Sequence, residues 1–526
     1  MSEPKNVLGQ YFTPLAIAEL MASMIQTNNN STVLEPSSGK GVFLDVLHDL
    51  GFQNVLAVEL DPKLATHSFF PVTNASFVSW TPPHSFDCVI GNPPYIRWKN
   101  LEDEQRSEIS KNRHWGTLFN SLSDYLMIFI VNAIDCLKEG GELIFITPSF
   151  WLHTQHAAPV REFMLQQGGF THLVTFGEAE VFPGVASAIV IFRYTKGSHQ
   201  PHDIKHFSYI GPKKVGVSGV ALLNDNDFEQ STIPQFKTRK NWTIATQETQ
   251  IAIEKIEDWA AEIYTPKDLF GDAHYSTLGE SCDIANGMVS GLDKAFRISP
   301  ELLQKLNPLE SKSVRKVIKA ADLARLTTEK SSFYIDLPVG LTEIQIQTMY
   351  PNLYLHFLPY VDDLMNRYKY VDSLPFWEWS FRRSESFFTN GRRKVFVPCK
   401  ERITSREHIR FTLIEGDSIA TQDVTAICPR GSTRETVEYI AAYLTLPELS
   451  KWIRIKGLIK GGIAEFSERP TASIPFRGID WGNKKEVSIH NRITSIVDEV
   501  LLRNIQIEFG LHDIHACFTK LGLPKI

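Results

Sequence analysis

Four residues, Asn92, Pro93, Pro94 and Tyr95, follow the apolar run Asp87–Gly91 without a break. Neither proline has an N–H, and each restricts the backbone around it. The tetrapeptide is therefore stiff and offers mainly acceptors: the Asn92 side-chain oxygen and nearby main-chain carbonyls. Tyr95 adds a flat apolar face. An exocyclic amine on a heteroaromatic ring needs such a set. Its lone pair is delocalised into the ring, so it is a weak nucleophile. Two acceptors on its N–H groups favour a tetrahedral nitrogen and stabilise the positive charge developing there. A stacked aromatic holds the ring. The nitrogen loses its proton after attack, so no strong general base is required. A rigid strand-to-loop turn is the plain alternative, and the rest of the chain must decide.

A second stretch, "VLEPSSGKGVFLDVL" (Val33 to Leu47), reads as strand, glycine-bearing turn and helix. Gly39 and Gly41 let a ligand approach the backbone near a helix N-terminus. Glu59 ends the next strand about 20 residues on, where dinucleotide folds place an acid against ribose hydroxyls. The GxGxxG pattern is absent. Glu35 and Pro36 stand at the mouth of the turn instead, and a carboxylate there repels pyrophosphate. It suits a cationic, amine-bearing cofactor, which points to S-adenosylmethionine. Taken alone, the turn is also what an ordinary strand–helix connection looks like.

The elements that position these residues alternate. "PLAIAELMASMI" (Pro14 to Ile25) reads as an amphipathic helix with proline in its first turn, and "GVFLDVLHDLG" as a helix stopped by Gly51. "STVLEP", "NVLAVELDP", "FDCVIGNPP", "ELIFITPS" and "ASAIVIFRY" read as strands. "SDYLMIFIVNAIDCLKEGG" reads as a long helix capped by Ser123 and ended by Gly140–Gly141. Continuous apolar strands between helices imply an α/β fold, a doubly wound, mostly parallel sheet covered on both faces. After Tyr194, "TKGSHQPHDIKH" reads as a loop and Thr246 to Ile263 as a helix. Beyond that the strand–helix rhythm stops. The expected division is 1–240 for a catalytic domain and 241–526 for a second, mixed α+β domain.

The 526 residues carry 54 Lys+Arg against 60 Asp+Glu, a net charge of −6, which argues against a general nucleic-acid coat protein. The balance is uneven: residues 1–200 hold about 12 basic and 19 acidic side chains, and Arg367 to Arg410 about 11 against 5. An acidic half joined to a locally basic one suits catalysis beside polyanion binding, although a solvated surface has the same signature. The six cysteines form no CxxC pair, so neither a metal site nor a disulfide framework is indicated, and reduced cytosolic thiols are the simplest reading. No secretory signal or membrane span is legible.

Together these motifs resemble the amino-methyltransferases of DNA, specifically the γ-order (TaqI-type) adenine-N6 enzymes of restriction–modification systems. "GQYFTP" and "LEPSSGKGVFL" are similar to their cofactor motifs, "VELDP" to the second of these, and "NPPY" to the catalytic motif. "EVFPGVASAIVIF" resembles the segment whose phenylalanine, here Phe182, faces a flipped base. The resemblance covers most of residues 8–195 and implies a Rossmann-like class I methyltransferase domain. By it, Thr13, Glu35, Pro36, Gly39, Gly41 and Glu59 line an S-adenosylmethionine site, while Asn92, Pro93, Pro94 and Tyr95 hold the target amine. One position departs. Where the family has an acid that binds the cofactor's adenine amine, "NASFVSW" offers Ser76, a weaker acceptor, with Asn74 as a substitute.

"DIANGMVSGLDKAFRI" resembles the opening of the family's target-recognition domain, with Gly287 and Gly291 allowing close backbone approach. Arg382, Arg383, Arg392, Arg393, Lys456 and Lys460 are candidate contacts to DNA. A duplex base must leave its stack to be reached, so a cleft between an acidic catalytic half and a basic reading half is expected. The resemblance implies a cytoplasmic monomer acting on double-stranded DNA, with a separately encoded restriction endonuclease as possible partner. The chain begins almost at the first cofactor motif, which leaves no room for an N-terminal nuclease domain. Methylation of cytosine N4, an RNA adenine or a protein glutamine amide stays open at this point, as does a catalytically silent DNA-binding module.

Overall fold

The computed structural model describes residues 12–525 except 97, 122, 178, 183–187, 198–202, 214, 216–225, 239–241, 263–275, 368–373, 404–407 and 461. Of Lys99 and Lys460 only the backbone is described. Internal contacts divide the chain into two compact units, Met1–Gln250 and Ile251–Ile526.

The first unit is built on one nine-stranded sheet. Its strands are β1 (Thr32–Glu35), β2 (Asn54–Glu59), β3 (Val72–Asn74), β4 (Phe86–Gly91), β5 (Leu137–Pro148), β6 (Gly168–Thr175), β7 (Ile189–Lys196), β8 (Asp203–Tyr209) and β9 (Phe228–Pro234). They lie in the order β3-β2-β1-β4-β5-β7-β6-β8-β9. Strands β1 to β5 run parallel, and β7 enters antiparallel between β5 and β6. This is a Rossmann-like sheet. From β1 the chain winds outward through β2 and β3, then returns to β4 on the other side, so the winding reverses between β1 and β4. Ligands of open α/β sheets bind at the carboxyl ends of such a pair. Leu34 pairs with Val89, so Glu35 and Asn92 leave the sheet side by side.

The apolar runs are continuous because both faces are covered. On β4, Val89 packs into one core layer and its neighbours Cys88 and Ile90 into the other. Helices α1 (Leu15–Ser23) and α2 (Val42–Asp49) cover one face; α4 (Tyr125–Cys136) and α5 (Ala158–Gln167) cover the other, and the short α3 (Asp103–Ser110) precedes α4. Past α1, the buried Glu142 carboxylate on β5 accepts the main-chain N–H groups of Gln26 and Thr27 and pairs with Arg193 on β7. That anchor fixes α1, and with it Thr13 just ahead of the helix.

Two local expectations are corrected. Helix α4 is capped by Asp124, not Ser123, whose hydroxyl instead accepts the Asn120 N–H. It stops at Cys136 rather than at the glycines. Lys196 Nζ donates to the carbonyls of Ile134 and Leu137, so a cation satisfies the helix end and the chain turns directly into β5. The polar stretch "DIKH" is not loop but the start of β8. Ile204 and Phe207 are buried, while His206 bonds Thr175 on β6 and Ser231 on β9.

Helix α6 (Gln247–Ala261) leads into the second unit, which is mixed α and β. Its largest sheet is antiparallel, in the order Cys282–Asn286, Val424–Pro429, Lys394–Pro398, Thr412–Ile414. Among the described residues it also holds two three-stranded sheets and a pair of contacting C-terminal helices, Lys484–Leu501 and Ile507–Lys520. Among the described residues, no helix is long and apolar enough to cross a membrane.

Candidate active site

The loop after β1 is shaped by its backbone. Gly41 caps α2 with φ at +82°, a conformation that disfavours any side chain, and a Cβ there would stand 2.7 Å from His67 Cδ2. Glu59, at the end of β2, closes the loop from the side: one carboxylate oxygen accepts the Gly39 N–H at 2.7 Å, the other the Asp61 N–H at 2.8 Å. Glu35 is almost wholly buried. Burial first, and then the charge of Glu59, push its carboxyl well above the usual carboxylate range. Its Oε2 and the buried Ser38 hydroxyl have no hydrogen-bond partner. Native interiors rarely leave such groups orphaned, so a polar ligand fits here. Burial and the neighbouring Glu59 disfavour the ionised carboxyl, and an arriving cation would favour it, which fits an ammonium-bearing ligand.

Asn92 follows β4 directly. Its Nδ2 donates to Thr13 Oγ1 at 3.1 Å, and its main-chain carbonyl accepts the Ser37 hydroxyl at 3.2 Å. Thr13 thereby anchors the Asn92 amide. The Tyr95 hydroxyl lies against Asn92 Oδ1 and 2.7 Å from the Ile146 carbonyl. One phenolic proton serves only one of these acceptors at a time. Tyr95 is thus turned inward by its hydroxyl, and its ring packs against the core layer rather than lining the cavity.

A single cavity joins the two groups. Ser37, Gly39 and Glu59 line one part and Asn92 and Pro93 another, while Leu60, Phe77, Pro94 and Phe129 supply apolar walls. Ser76 and Tyr125 line it as well. Of the residues singled out in the sequence, the structure brings Pro36, Gly39, Glu59, Ser76, Asn92, Pro93 and Pro94 onto this surface. Thr13, Glu35 and Gly41 stand behind it. Asn74 does not reach it, because its amide Nδ2 is held by the carbonyls of Glu59 and Leu60. Phe182 is corrected: it is buried in the core with Val174, Phe176 and Ile189 and does not line the cavity. The rest of its motif, 183–187, lies outside the described residues, as do Gly9 to Tyr11 of "GQYFTP".

Sequence reasoning missed Phe12, Leu60, Phe77, Tyr125 and Phe129. The last two are one turn apart on α4, so the pattern that marks a buried helix face also marks a cavity wall. Phe12 is 46% exposed, and its ring carries Lys40 Nζ at 4.2 Å from its centroid.

In the second unit the basic candidates have internal partners. Arg382 pairs with Asp336 at 2.6 Å and Glu385 at 3.2 Å, and Arg383 donates to the Gly287 carbonyl. Arg392 donates to the Pro429 carbonyl, while Arg393 meets Glu415, Glu438 and Asp498. Lys456 bridges to Glu257, and the Lys460 side chain lies outside the described residues. Gly287 and Gly291 admit close approach, but of the unit's own chain. A Cβ on Gly287 would collide with the carbonyls of Thr421 and Ala420, and one on Gly291 (φ +89°) with Ser380 and Arg367. The described side chains and both glycines thus make contacts within their own unit.

Residues 51–182 match the family profile described as Eco57I restriction-modification methylase, and residues 2–54 that of N-6 DNA Methylase. The solved structure of the Type IIL restriction-modification enzyme MmeI, determined in complex with DNA, is similar in fold. Its TM-score is 0.61 at 12% identity, over 95% of this chain and 71% of that one. The chain is 37% identical to Type II methyltransferase M.HincII of Haemophilus influenzae over 99% of both proteins. It is 39% identical to Type II methyltransferase M.HindII of Haemophilus influenzae strain Rd, again over 99% of both. With that identity along nearly its whole length, the chain belongs to the Type II methyltransferase family.

Proposed function

We propose that the protein is the modification methyltransferase of a restriction–modification system, moving a methyl group from S-adenosylmethionine to the N6 amine of adenine in double-stranded DNA. The observation that carries this is the juxtaposition of Asn92 with the Glu35–Glu59 loop around one cavity, at the point where the sheet reverses its winding. Membership of the Type II methyltransferase family and the match to the N-6 DNA Methylase profile support it.

S-adenosylmethionine, when bound, supplies an electrophilic methyl group on a sulfonium. The orphaned carboxyl of Glu35 would take up positive charge near the loop, and Glu59 would accept hydroxyl protons in place of its present main-chain donors. Asn92 Oδ1 would accept one N–H of the target amine and a main-chain carbonyl of the tetrapeptide the other. Thr13 holds the Asn92 amide in place. As positive charge grows on the amine, both acceptors bind it more strongly than before, which lowers the barrier. The surplus proton leaves afterwards, and no residue is asked to act as a strong base. The target base must be extruded from the duplex, and the Tyr95 ring would stack on it once the base amine replaces the phenol at Asn92.

The second unit is read as the target-recognition part, with a separately encoded endonuclease cutting the same unmodified sequence. Mass analysis of nucleosides from DNA of cells expressing the protein tests the reading. N6-methyladenine is expected, and N4-methylcytosine in its place, or no modified base, overturns it.

A further inference from the structure

We propose that Ser76 and Tyr125 form a two-hydroxyl recognition pair for the adenine ring of the cofactor, in place of the single carboxylate expected there. The inference rests on the reading that the cavity takes S-adenosylmethionine. Leu60, Phe77, Pro94 and Phe129 supply apolar lining suited to the faces of a heterocycle, and Ser76 and Tyr125 line the same cavity. The Ser76 hydroxyl is buried and has no well-aligned partner; the Tyr125 hydroxyl is near enough to interact with it. Tyr125 is fixed at the first turn of α4, where its N–H bonds the Ile96 carbonyl at 3.0 Å, two residues past Pro94. Asn74, the other nearby candidate, is committed to the β2 backbone.

The pair has a chemistry that a carboxylate lacks. Adenine presents an amine donor beside a ring-nitrogen acceptor. An ionised carboxylate only accepts, so it binds the amine and repels the ring-nitrogen lone pair. Two hydroxyls meet both: one accepts from the amine and the other donates to the ring nitrogen. Burial pushes the Tyr125 phenol up to about 12, so it remains a donor throughout the neutral range. Because hydroxyls rotate, the same pair can reverse roles and satisfy hypoxanthine, whose carbonyl and ring N–H invert the adenine pattern. Relaxed discrimination between an adenosyl and an inosyl head follows.

Calorimetric titration with S-adenosylhomocysteine and S-inosylhomocysteine tests this, with circular dichroism checking the fold of each variant. The unaltered protein should bind the two within about tenfold. Ser76→Ala and the near-isosteric Tyr125→Phe should each weaken the adenosyl compound by about threefold to tenfold. Ser76→Asp should bind the adenosyl compound at least as well as the unaltered protein. Unchanged adenosyl affinity in both truncations overturns the pair, as does an unaltered protein that binds the inosyl compound more than about a hundredfold more weakly than the adenosyl one. A folded, unaltered protein that binds neither compound removes the cofactor reading itself, and the pair with it.

Discussion

The carboxyl edge of the first unit's sheet and the arginine-rich strands of the second treat polar side chains in opposite ways. At the sheet edge, Glu35 and Ser38 carry buried polar atoms without partners, while Asn92 is held by Thr13 and Tyr95. In the second unit, Arg382 and Arg393 are surrounded by the unit's own carboxylates. The first arrangement keeps hydrogen-bonding capacity in reserve for a ligand; the second uses it up in folding. A residue picked for its place at a strand end and a residue picked for its charge are therefore different kinds of candidate.

The contrast breaks most sharply at Asn92. Asn92→Ala removes the acceptor aimed at the amine, and methyl transfer should fall by at least about 10²–10³-fold. Affinity for S-adenosylhomocysteine and DNA should stay largely intact, as read by single-turnover assays beside binding titrations. Full methylation by this variant removes the mechanism.

Arg382→Ala tests the other side. It removes one of two arginines from the Asp336 carboxylate, which is 10% exposed and keeps Arg315 at 3.3 Å, so urea denaturation should show a loss of about 1 kcal/mol. The dependence of DNA affinity on salt should not change. A phosphate contact would instead lower that slope by about one unit with stability intact, and would return Arg382 to the interface.

Glu35 gives a pH signature. Its carboxyl is raised in the folded protein, so it holds a proton at pH values where the unfolded chain has lost it. Its contribution to stability is whole below the unfolded value and fades as pH climbs through the folded one. A ligand ammonium selects the ionised form. Affinity for S-adenosylhomocysteine should then rise with pH up to the raised value and level off above it. Glu35→Gln should bind more weakly with a flat profile, and a profile parallel to that of the unaltered protein separates Glu35 from the ammonium.

The smallest effect is expected at Thr13. Thr13→Val loses one hydrogen bond, to the Asn92 amide, and should lower kcat by about threefold to tenfold. KM for the cofactor should hold steady; a KM effect alone would move Thr13 to cofactor binding.

Much of the first unit was legible. Five strands and the helices beside them are visible as apolar runs, because strands buried on both faces need no alternation. Strand β6, "GGFTHLVT", was missed because Thr171 and His172 interrupt its apolar pattern, and β8 because polar residues fill its paired positions. The loop glycines and Asn92 were legible because backbone geometry demands particular residue types. Tyr125 was not: its pattern is that of any buried helix face, and only the fold distinguishes core from cavity wall. The partners of the arginine clusters were not legible, because charge composition does not record the acids brought near them. Glu438 and Asp498 are 45 and 105 residues away from Arg393 along the chain.

The pairing of Leu34 with Val89 has a wider consequence. Glu35 and Asn92 belong to neighbouring rails of one ladder, which stand about 4.8 Å apart. The gap between donor and acceptor sites is therefore set by main-chain hydrogen bonding, not by loops. Variation elsewhere in the chain leaves that gauge alone, so the chemistry can persist over evolutionary time while the surface around it drifts.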